Sequence, residues 1–246
     1  MEKKDYFSGH SSLYATFRPT YPKALYDFIF SHLRNRSVAW DCATGNGQVA
    51  KYLALTFDQV FATDISQNQL NNAAQQNNIV YSLSSAEKTN FEDHQFDLIT
   101  VGQAMHWFKL DEFYKEVKRV GKKDSLLAVW GYALCKVNPA VDKLFLHFYH
   151  DIVGPYWDEA RKLVEDEYRT VPFPFKQIPS PEFQLDVEWT FDEFVGYLST
   201  WSATQKYIKS NGSDLLPQFT EQLKLVWKSG EKQKVTFPLF LKLGRI

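Results

Sequence analysis

Short apolar runs alternate with segments of helical spacing along the chain as far as Trp130. Each run is bounded by polar or turn-forming residues, which is typical of a strand buried on both faces of a sheet. The predicted strands are 38–42, 60–64, 79–83, 96–101 and 125–130. One helix is predicted before the first strand, at 24–33, and others between the strands, at 49–55, 66–76 and 110–120. Strands that are separated by helices predict a parallel, doubly wound α/β sheet.

The pattern changes after Gly131, where aromatic and proline-rich segments replace the regular alternation. A capping box formed by Thr190 and Glu193 predicts the start of one late helix. The remaining predicted elements are a helix over 138–153, extended chain over 171–175 and 178–181, a strand over 183–188, helices over 190–201 and 215–227, and a strand over 235–243. Together with the first five strands, they predict a Rossmann-like, seven-stranded sheet with a helical insertion late in the sheet.

The whole chain, 1–246, is expected to form a single domain because it is long enough to bury one large core. Its expected parts are an N-terminal segment and helix (1–36), a core (37–131), a helical cap (132–180) and C-terminal helices and strands that complete the sheet (181–246). The cap is expected to cover a ligand.

Composition limits the kinds of molecule that the protein is expected to bind. The 28 basic and 29 acidic side chains leave a formal charge of −1, so no global field steers nucleic acid or an anionic membrane to the protein. Aromatic residues reach 16%, and they supply both core volume and flat walls for a ligand pocket. Cys42 and Cys135 cannot form a disulfide framework and are expected to be small buried hydrophobes in a reducing compartment.

No segment has the pattern of a membrane anchor or a signal peptide. The longest near-continuous apolar stretch, 126–135, is too short for a bilayer, which needs about 20 residues. The first residues start basic but lack the apolar run of a signal peptide. The sequence therefore predicts a cytoplasmic protein without a membrane partner.

The turn after the first strand has the residues of a ligand-binding loop. Gly45 and Gly47 allow a sharp turn and a close backbone approach to a ligand. Asp64 ends the second predicted strand, where a carboxylate can accept both hydroxyl hydrogens of a ribose. Two interpretations stay open from these residues: a nucleotide-type site, or a tight turn with Asp64 capping the next helix.

Two further segments follow strands three and four and therefore reach the same edge of the sheet. Ala86 and Glu87 come after the third strand, and Gln103 to Phe108 come after the fourth. The carboxyl ends of the strands are where open α/β sheets bind their ligands. One segment per strand suits a long, adenosine-bearing ligand laid across this edge.

These motifs resemble class I S-adenosylmethionine-dependent methyltransferases over nearly the whole chain. The residues that carry the resemblance are Asp41-x-x-x-Gly45-x-Gly47, Asp64, Ala86-Glu87 and Gln103-Ala104-x-His106-Trp107-Phe108. The opening Tyr14-x-x-x-Arg18-Pro19-x-Tyr21-Pro22 and the Ala-x-His-Trp-Phe stretch are similar to the branch that contains trans-aconitate methyltransferase. One residue departs from the family motif, because Ala43 stands where its first glycine is usual.

The resemblance implies S-adenosylmethionine as cofactor and a place for each residue around it. Gly45 and Gly47 would pass close to the amino-acid moiety, with Asp41 orienting the loop or bonding the cofactor ammonium. Asp64 would bind the ribose, and Ile65 would pack on the adenine. The other expected positions are Ala86 and Glu87 beside the base, Gln103 beneath the methionine part, and Tyr14 and Arg18 in a lid over the cofactor.

The expected catalytic residues are His106, Trp107 and Arg18. His106 suits the role of general base if the acceptor is a hydroxyl, although a structural histidine is the alternative. A carboxylate acceptor would need cationic clamps instead, for which Arg18, Arg161 and Arg169 are candidates. Trp107 and Tyr14 could face the positive sulfonium, and core packing or a helix staple is their alternative role.

The favoured function is methyl transfer to a small molecule, possibly a carboxylic acid that becomes a methyl ester, without a nucleic-acid partner. Alternatives are a nucleic-acid or protein methyltransferase and a non-catalytic S-adenosylmethionine-binding protein. A nicotinamide-dependent oxidoreductase ranks last, because Ala50 stands at the third glycine of G-x-G-x-x-G. No metal is expected, although His147, His150 and Asp151 share a predicted helix. No oligomeric state is predicted.

Overall fold

The computed structural model describes residues 17–227 and 230–246; the predicted lid residue Tyr14 lies outside these residues. Eight strands occur in the described residues: β1 Val38–Cys42, β2 Gln59–Asp64, β3 Ile79–Leu83, β4 Phe96–Gly102, β5 Gly121–Tyr132, β6 Lys176–Ile178, β7 Phe183–Trp189 and β8 Gln233–Arg245. The α-helices are α1 Lys23–Ser31, α2 Gln48–Leu53, α3 Gln67–Asn71, α4 Leu110–Val120, α5 Pro139–His147, α6 Arg161–Glu165, α7 Phe191–Ser199, α8 Ser202–Asn211 and α9 Leu216–Lys224.

The strands form one mixed sheet in the order β3-β2-β1-β4-β5-β8-β6, with β7 also paired to β8. Strands β1 to β5 pair in parallel, and β8 runs antiparallel to β5. Asp41 on β1 lies opposite Ala62 on β2 and Thr100 on β4, so the carboxyl ends of these strands meet at one edge. The predicted Rossmann-like α/β fold is confirmed.

The sheet has eight strands rather than the predicted seven. The short β6 pairs with the end of β8 near Gly244, whereas β7 pairs with the beginning of β8. Pro179 and Pro181 separate the two segments. Because proline has no N–H to give to a ladder, the chain leaves the sheet between them and rejoins it as a separate strand.

Both faces of the sheet are buried, as the apolar strand pattern predicts. One apolar cluster contains α1, α2 and much of the chain beyond β5, and a second cluster packs α4 against the other face. Trp40 on β1 is fully buried, and its indole N–H donates to the Thr63 hydroxyl at 2.9 Å. The central strands therefore have little freedom to shift, which fixes the positions of the loops that follow them.

The helices differ from the sequence pattern mainly at their ends. Helix α4 has the predicted bounds, because its apolar face is continuous and its first turn is acidic. The helix predicted over 66–76 stops at Asn71, and the one over 138–153 becomes α5 followed by a wider π turn, Phe148–Ile152. Helix α8 was not predicted, because its largely polar sequence lacks a clear apolar stripe.

The aromatic residues beyond β5 meet in one cluster above the sheet. Trp201, between α7 and α8, is 3% exposed. Its ring centroid lies 5.4–6.0 Å from those of five neighbours: Phe145, Phe148, Tyr149, Trp157 and Tyr197. The helices before β6 thus pack on those between β7 and β8. We call the packed helices of both segments the cap. The predicted role of 132–180 in covering a ligand stays a prediction.

No helix in the described part of the chain is long and apolar enough to cross a membrane.

Candidate active site

The turn between β1 and α2 contains three residues with positive φ. These are Ala43 (55°), Gly45 (58°) and Gly47 (79°). A Cβ on Gly47 would overlap the Tyr81 hydroxyl, so packing excludes a side chain there. A Cβ on Gly45 would meet no atom within 4 Å. Gly45 therefore borders open space, while Ala43 accepts a left-handed conformation that costs about 1 kcal/mol for a residue with a Cβ.

The Asp41 carboxylate holds this turn from inside the protein. It is 1% exposed and accepts hydrogen bonds from the Thr44 hydroxyl, the Thr100 hydroxyl (2.8 Å) and the Ala50 backbone N–H (3.1 Å). Burial raises the pKa of Asp41 to about 6, although these bonds oppose the shift. Of the two roles expected for Asp41, the geometry supports orientation of the loop.

Asp64 connects the same turn to the end of β2. Its Oδ2 accepts from the Gly45 N–H at 2.8 Å, and its Oδ1 accepts from the Ser66 N–H at 2.9 Å. The side chain that caps α3 is Ser66, which accepts from the Gln69 N–H. The Asp64 carboxylate is therefore bonded at the carboxyl end of β2 to the turn that contains Gly45.

The predicted base-binding residues lie beside β3 and α4. Ile65 is 45% exposed and Leu83 is 57% exposed, so the edge presents apolar surface next to Asp64. Ala86 is buried, and the Glu87 carboxylate accepts from the Lys109 N–H at 3.1 Å, just before α4. The loop after β3 is thereby attached to the start of α4, which fixes its position at the sheet edge.

Gln103 is locked across the ends of β4 and β5. Its φ is 56°, and its side-chain amide both donates to the Tyr132 carbonyl (3.3 Å) and accepts from the Tyr132 N–H (2.8 Å). A Cβ on Gly131 would lie 2.5 Å from the Gln103 Oε1. The missing side chain at Gly131 therefore lets the Gln103 amide lie flat against β5.

A pocket opens between this edge and the cap. It brings together the predicted residues Arg18, Gln103, His106 and Trp107. Its other lining residues are Trp157, Asp158, Arg161, Tyr197, Trp201 and Ser202. The glycine turn, Asp64, Ile65, Ala86 and Glu87 do not line this pocket; they lie along the neighbouring strand ends.

Arg18 joins the sheet to the cap. Its Nη1 donates to the Tyr132 hydroxyl at 2.6 Å, and its Nη2 donates to the Thr200 carbonyl at 3.4 Å. The guanidinium centre lies 5.3 Å from the centroid of the Tyr197 ring. These contacts place a cation in the pocket wall.

Arg161, at the start of α6, presents a second cation. Its Nε donates to the Tyr149 hydroxyl at 2.9 Å, and its guanidinium centre lies 5.1 Å from the Trp157 ring centroid. Within residues 17–227 and 230–246, no carboxylate forms an ion pair with Arg161 and no acceptor bonds its two Nη groups. Arg169, the third clamp expected from the sequence, does not line the pocket; its exposed guanidinium pairs with Asp166.

His106 lies on a short helical turn, Met105–Trp107, above the end of β4. Its Nδ1 is 2.8 Å from the Tyr168 hydroxyl. Burial, and then the positive charge of Arg161, lower the pKa of His106 to about 3. The imidazole is therefore neutral at physiological pH and a weak base. Trp107, beside it, is 37% exposed and contacts the His106 ring.

Three residues at or beside the pocket were not predicted from the sequence: Tyr168, Trp157 and Tyr197. Tyr168 is fully buried and has a φ of 56°, directly after Glu167 with a φ of 54°. Two consecutive left-handed residues without glycine leave no recognisable motif in the sequence, so no local signal pointed to this position. Trp157 and Tyr197 belong to the general aromatic enrichment, which does not show which rings face the pocket.

No group of three or more His, Cys, Asp or Glu side chains is arranged to hold a metal ion in the part of the chain that the structure describes. His147 bonds Asp151 at 2.7 Å, and both side chains are exposed.

Comparisons with known proteins agree with this geometry. A family model described as a methyltransferase domain matches residues 40–129. A Dictyostelium discoideum protein described as a methyltransferase is 35% identical over 249 residues, which cover 98% of this chain and 95% of that protein. A Saccharomyces cerevisiae protein described as an S-adenosylmethionine-dependent methyltransferase is 20% identical over 259 residues, covering 90% and 88% of the two chains.

A solved structure from Anaeromyxobacter dehalogenans, described as a type II methyltransferase, is similar to this chain with a TM-score of 0.86. It is 35% identical, and the match covers 93% of this chain and 98% of that one. The sheet order and the loops at its carboxyl edge are those of a Rossmann-like enzyme. The chain belongs to the class I S-adenosylmethionine-dependent methyltransferases, and its cofactor is S-adenosylmethionine.

The buried carboxyl of Asp41 generates a prediction about stability and pH. The folded protein keeps the proton of Asp41 up to about pH 6, whereas the ordinary pKa of this group is 3.8. Between these values the folded state binds more protons than the unfolded chain, so the free energy of unfolding falls as pH rises. Between about pH 4 and 7, the free energy of unfolding of the wild type should therefore fall by about 1–3 kcal/mol relative to that of Asp41→Asn.

Urea unfolding of the wild type and Asp41→Asn, followed by far-UV circular dichroism at several pH values, measures this difference. Parallel pH dependences in the two proteins would contradict the buried, proton-retaining state of Asp41.

Proposed function

We propose that S-adenosylmethionine binds along the carboxyl ends of β1, β2 and β4, with its amino-acid part over Gly45 and its ribose at Asp64. The observation that supports this placement is the open space in front of Gly45, which a Cβ would enter without meeting protein. The Asp64 carboxylate lies at the end of β2 and accepts from the Gly45 N–H, so it stands beside the space assigned to the cofactor. The exposed Ile65 offers an apolar surface for the adenine.

The same proposal assigns the remaining edge residues. Gln103, whose amide is locked on Tyr132, supports the methionine part next to the pocket. The loop of Ala86 and Glu87 borders the base. When bound, S-adenosylmethionine supplies a methyl group on a positively charged sulfur, and the protein's task is to position an acceptor against it and to exclude water.

We propose that the acceptor is a small carboxylic acid bound in the pocket under the cap. The observation that carries this proposal is Arg161, whose two Nη groups have no acceptor in the described residues and which lines the pocket. Such a guanidinium can bind a carboxylate through two parallel hydrogen bonds. A carboxylate is already an anion, so it accepts a methyl group without losing a proton.

The pocket walls favour an acceptor with a flat or apolar body. Trp107, Trp157, Tyr197 and Trp201 all line the pocket, and rings of this kind pack well against planar groups. The net charge of −1 gives a polynucleotide no overall attraction. These features support the predicted branch, which contains trans-aconitate methyltransferase and related small-molecule methyltransferases.

The cofactor placement predicts a specific effect of Gly45→Ala. The new Cβ would occupy the space assigned to the cofactor, so the affinity for S-adenosylmethionine should fall at least about tenfold. Gly212→Ala is a matched control, since Gly212 also has a positive φ (65°) and no atom within 4 Å of its Cβ position. Both variants should lose about 1 kcal/mol of stability because of the left-handed backbone.

Isothermal titration calorimetry with S-adenosylmethionine and S-adenosylhomocysteine measures the affinities. Equal binding by Gly45→Ala and Gly212→Ala, with both proteins folded, would rule out the proposed position of the amino-acid part.

The acceptor assignment predicts that Arg161→Gln raises the KM for small carboxylic acids by about tenfold to a hundredfold. The lost interaction is a charge-assisted, two-point hydrogen bond worth about 1.5–3 kcal/mol. Arg169→Gln removes the same charge from an exposed position outside the pocket and should leave KM unchanged. The measurement is methyl transfer to a panel of carboxylic acids, with the corresponding primary amides as uncharged analogues. A similar KM in both variants would exclude Arg161 as the clamp.

A further inference from the structure

The contact between Tyr168 and His106 determines where the imidazole proton lies. The Tyr168 hydroxyl is buried, 2.8 Å from His106 Nδ1, and within the described residues it has no other hydrogen-bond acceptor. A buried O–H without an acceptor is costly, so its proton must be directed to Nδ1. A neutral imidazole has one N–H, which is then on Nε2.

The surroundings of the hydroxyl agree with this direction. Burial raises the pKa of Tyr168, which keeps the hydroxyl protonated. The backbone amides of His106 and Met105 partly oppose that rise, because their N–H groups stabilise the phenol oxygen. The phenol oxygen of Tyr168 thus accepts from the backbone, while its O–H donates to the His106 imidazole.

The charged groups around His106 also disfavour a second proton. Arg161 lines the same pocket and lowers the pKa of His106, and Arg18 adds another positive charge to the wall. The acidic lining residue, Asp158, is held by Lys206 in an ion pair of 2.6 Å. The ring therefore stays neutral, with Nδ1 occupied by Tyr168 and no lone pair left to remove a proton from an acceptor.

We propose that Tyr168 holds His106 as a hydrogen-bond donor through Nε2, and that His106 and Arg161 together bind the anionic group of the acceptor. In this arrangement His106 is a binding residue, in contrast to the general base considered from the sequence, and Tyr168 is a positioning residue. The anion-binding part rests on the proposed function; the position of the proton does not.

A neutral donor beside a guanidinium suits recognition of an anion. Arg161 supplies charge and two donors, and His106 adds a third donor without adding charge repulsion. An alcohol or phenol acceptor, which must lose its proton, would find no base among these side chains. The pocket therefore selects acceptors that are already anionic at physiological pH.

Nitrogen NMR of the full chain labelled with [15N]histidine tests the position of the proton directly. His106 signals are assigned by comparison with His106→Gln. We expect the Nε2–H tautomer, unchanged between about pH 5.5 and 8. In Tyr168→Phe, which keeps the ring but removes the hydroxyl, the Nδ1–H tautomer should appear. A wild-type Nδ1–H tautomer, or titration of His106 near its ordinary pKa, would overturn the proposal.

Binding of benzoate in the presence of S-adenosylhomocysteine tests the donor role, with benzamide as the uncharged analogue. His106→Gln places an amide N–H near the position of Nε2 but cannot act as a base, so it should retain benzoate affinity within about threefold. His106→Ala should lose about tenfold. Equal losses in the two variants would exclude the donor role.

If the NMR spectra show the Nε2–H tautomer but benzoate does not change the His106 signals, the anion-binding part of the proposal is overturned. Failure of the cofactor placement is distinguishable, because it appears as unchanged S-adenosylhomocysteine binding in Gly45→Ala and leaves the tautomer as expected.

Discussion

The structure of this enzyme depends on two carboxylates at the carboxyl edge of the sheet. Asp41 accepts hydrogen bonds from the Ala50 N–H and the Thr100 hydroxyl. Asp64, at the end of β2, accepts one from the Gly45 N–H. A buried carboxylate is tolerated because three donors surround it. Burying Asp41 is unfavourable in itself, but its hydrogen bonds fix the backbone of the loop before a ligand binds.

The cap complements this rigid edge with aromatic packing and two arginines. Trp201 lies at the centre of five rings, which holds the helices from two separate segments together. Arg161 is aligned by the rings of Tyr149 and Trp157 and by the Tyr149 hydroxyl. That hydroxyl accepts from Nε and leaves the two Nη groups to bind an anion. The cap therefore presents a prearranged cation to the edge at which we propose that the cofactor binds.

Local pattern was sufficient for the five parallel strands and insufficient for the pocket and for the last strands of the sheet. Strands β1 and β3 and helix α4 have the predicted bounds, since burial on both faces and one amphipathic face are properties of short segments. The contact of Tyr168 with His106 spans 62 residues and depends on how the cap folds back onto the sheet, which periodicity does not encode. The split between β6 and β7 likewise depends on pairing with opposite ends of β8.

The bonds of Arg18 tie together parts of the chain that are 114 and 182 residues apart. Closing such long loops is entropically unfavourable unless the rest of the fold already brings their ends together. The same bonds make this corner sensitive to local opening. Release of Arg18 from Tyr132 and Thr200 would dismantle one side of the pocket while the hydrogen-bonded sheet stays intact.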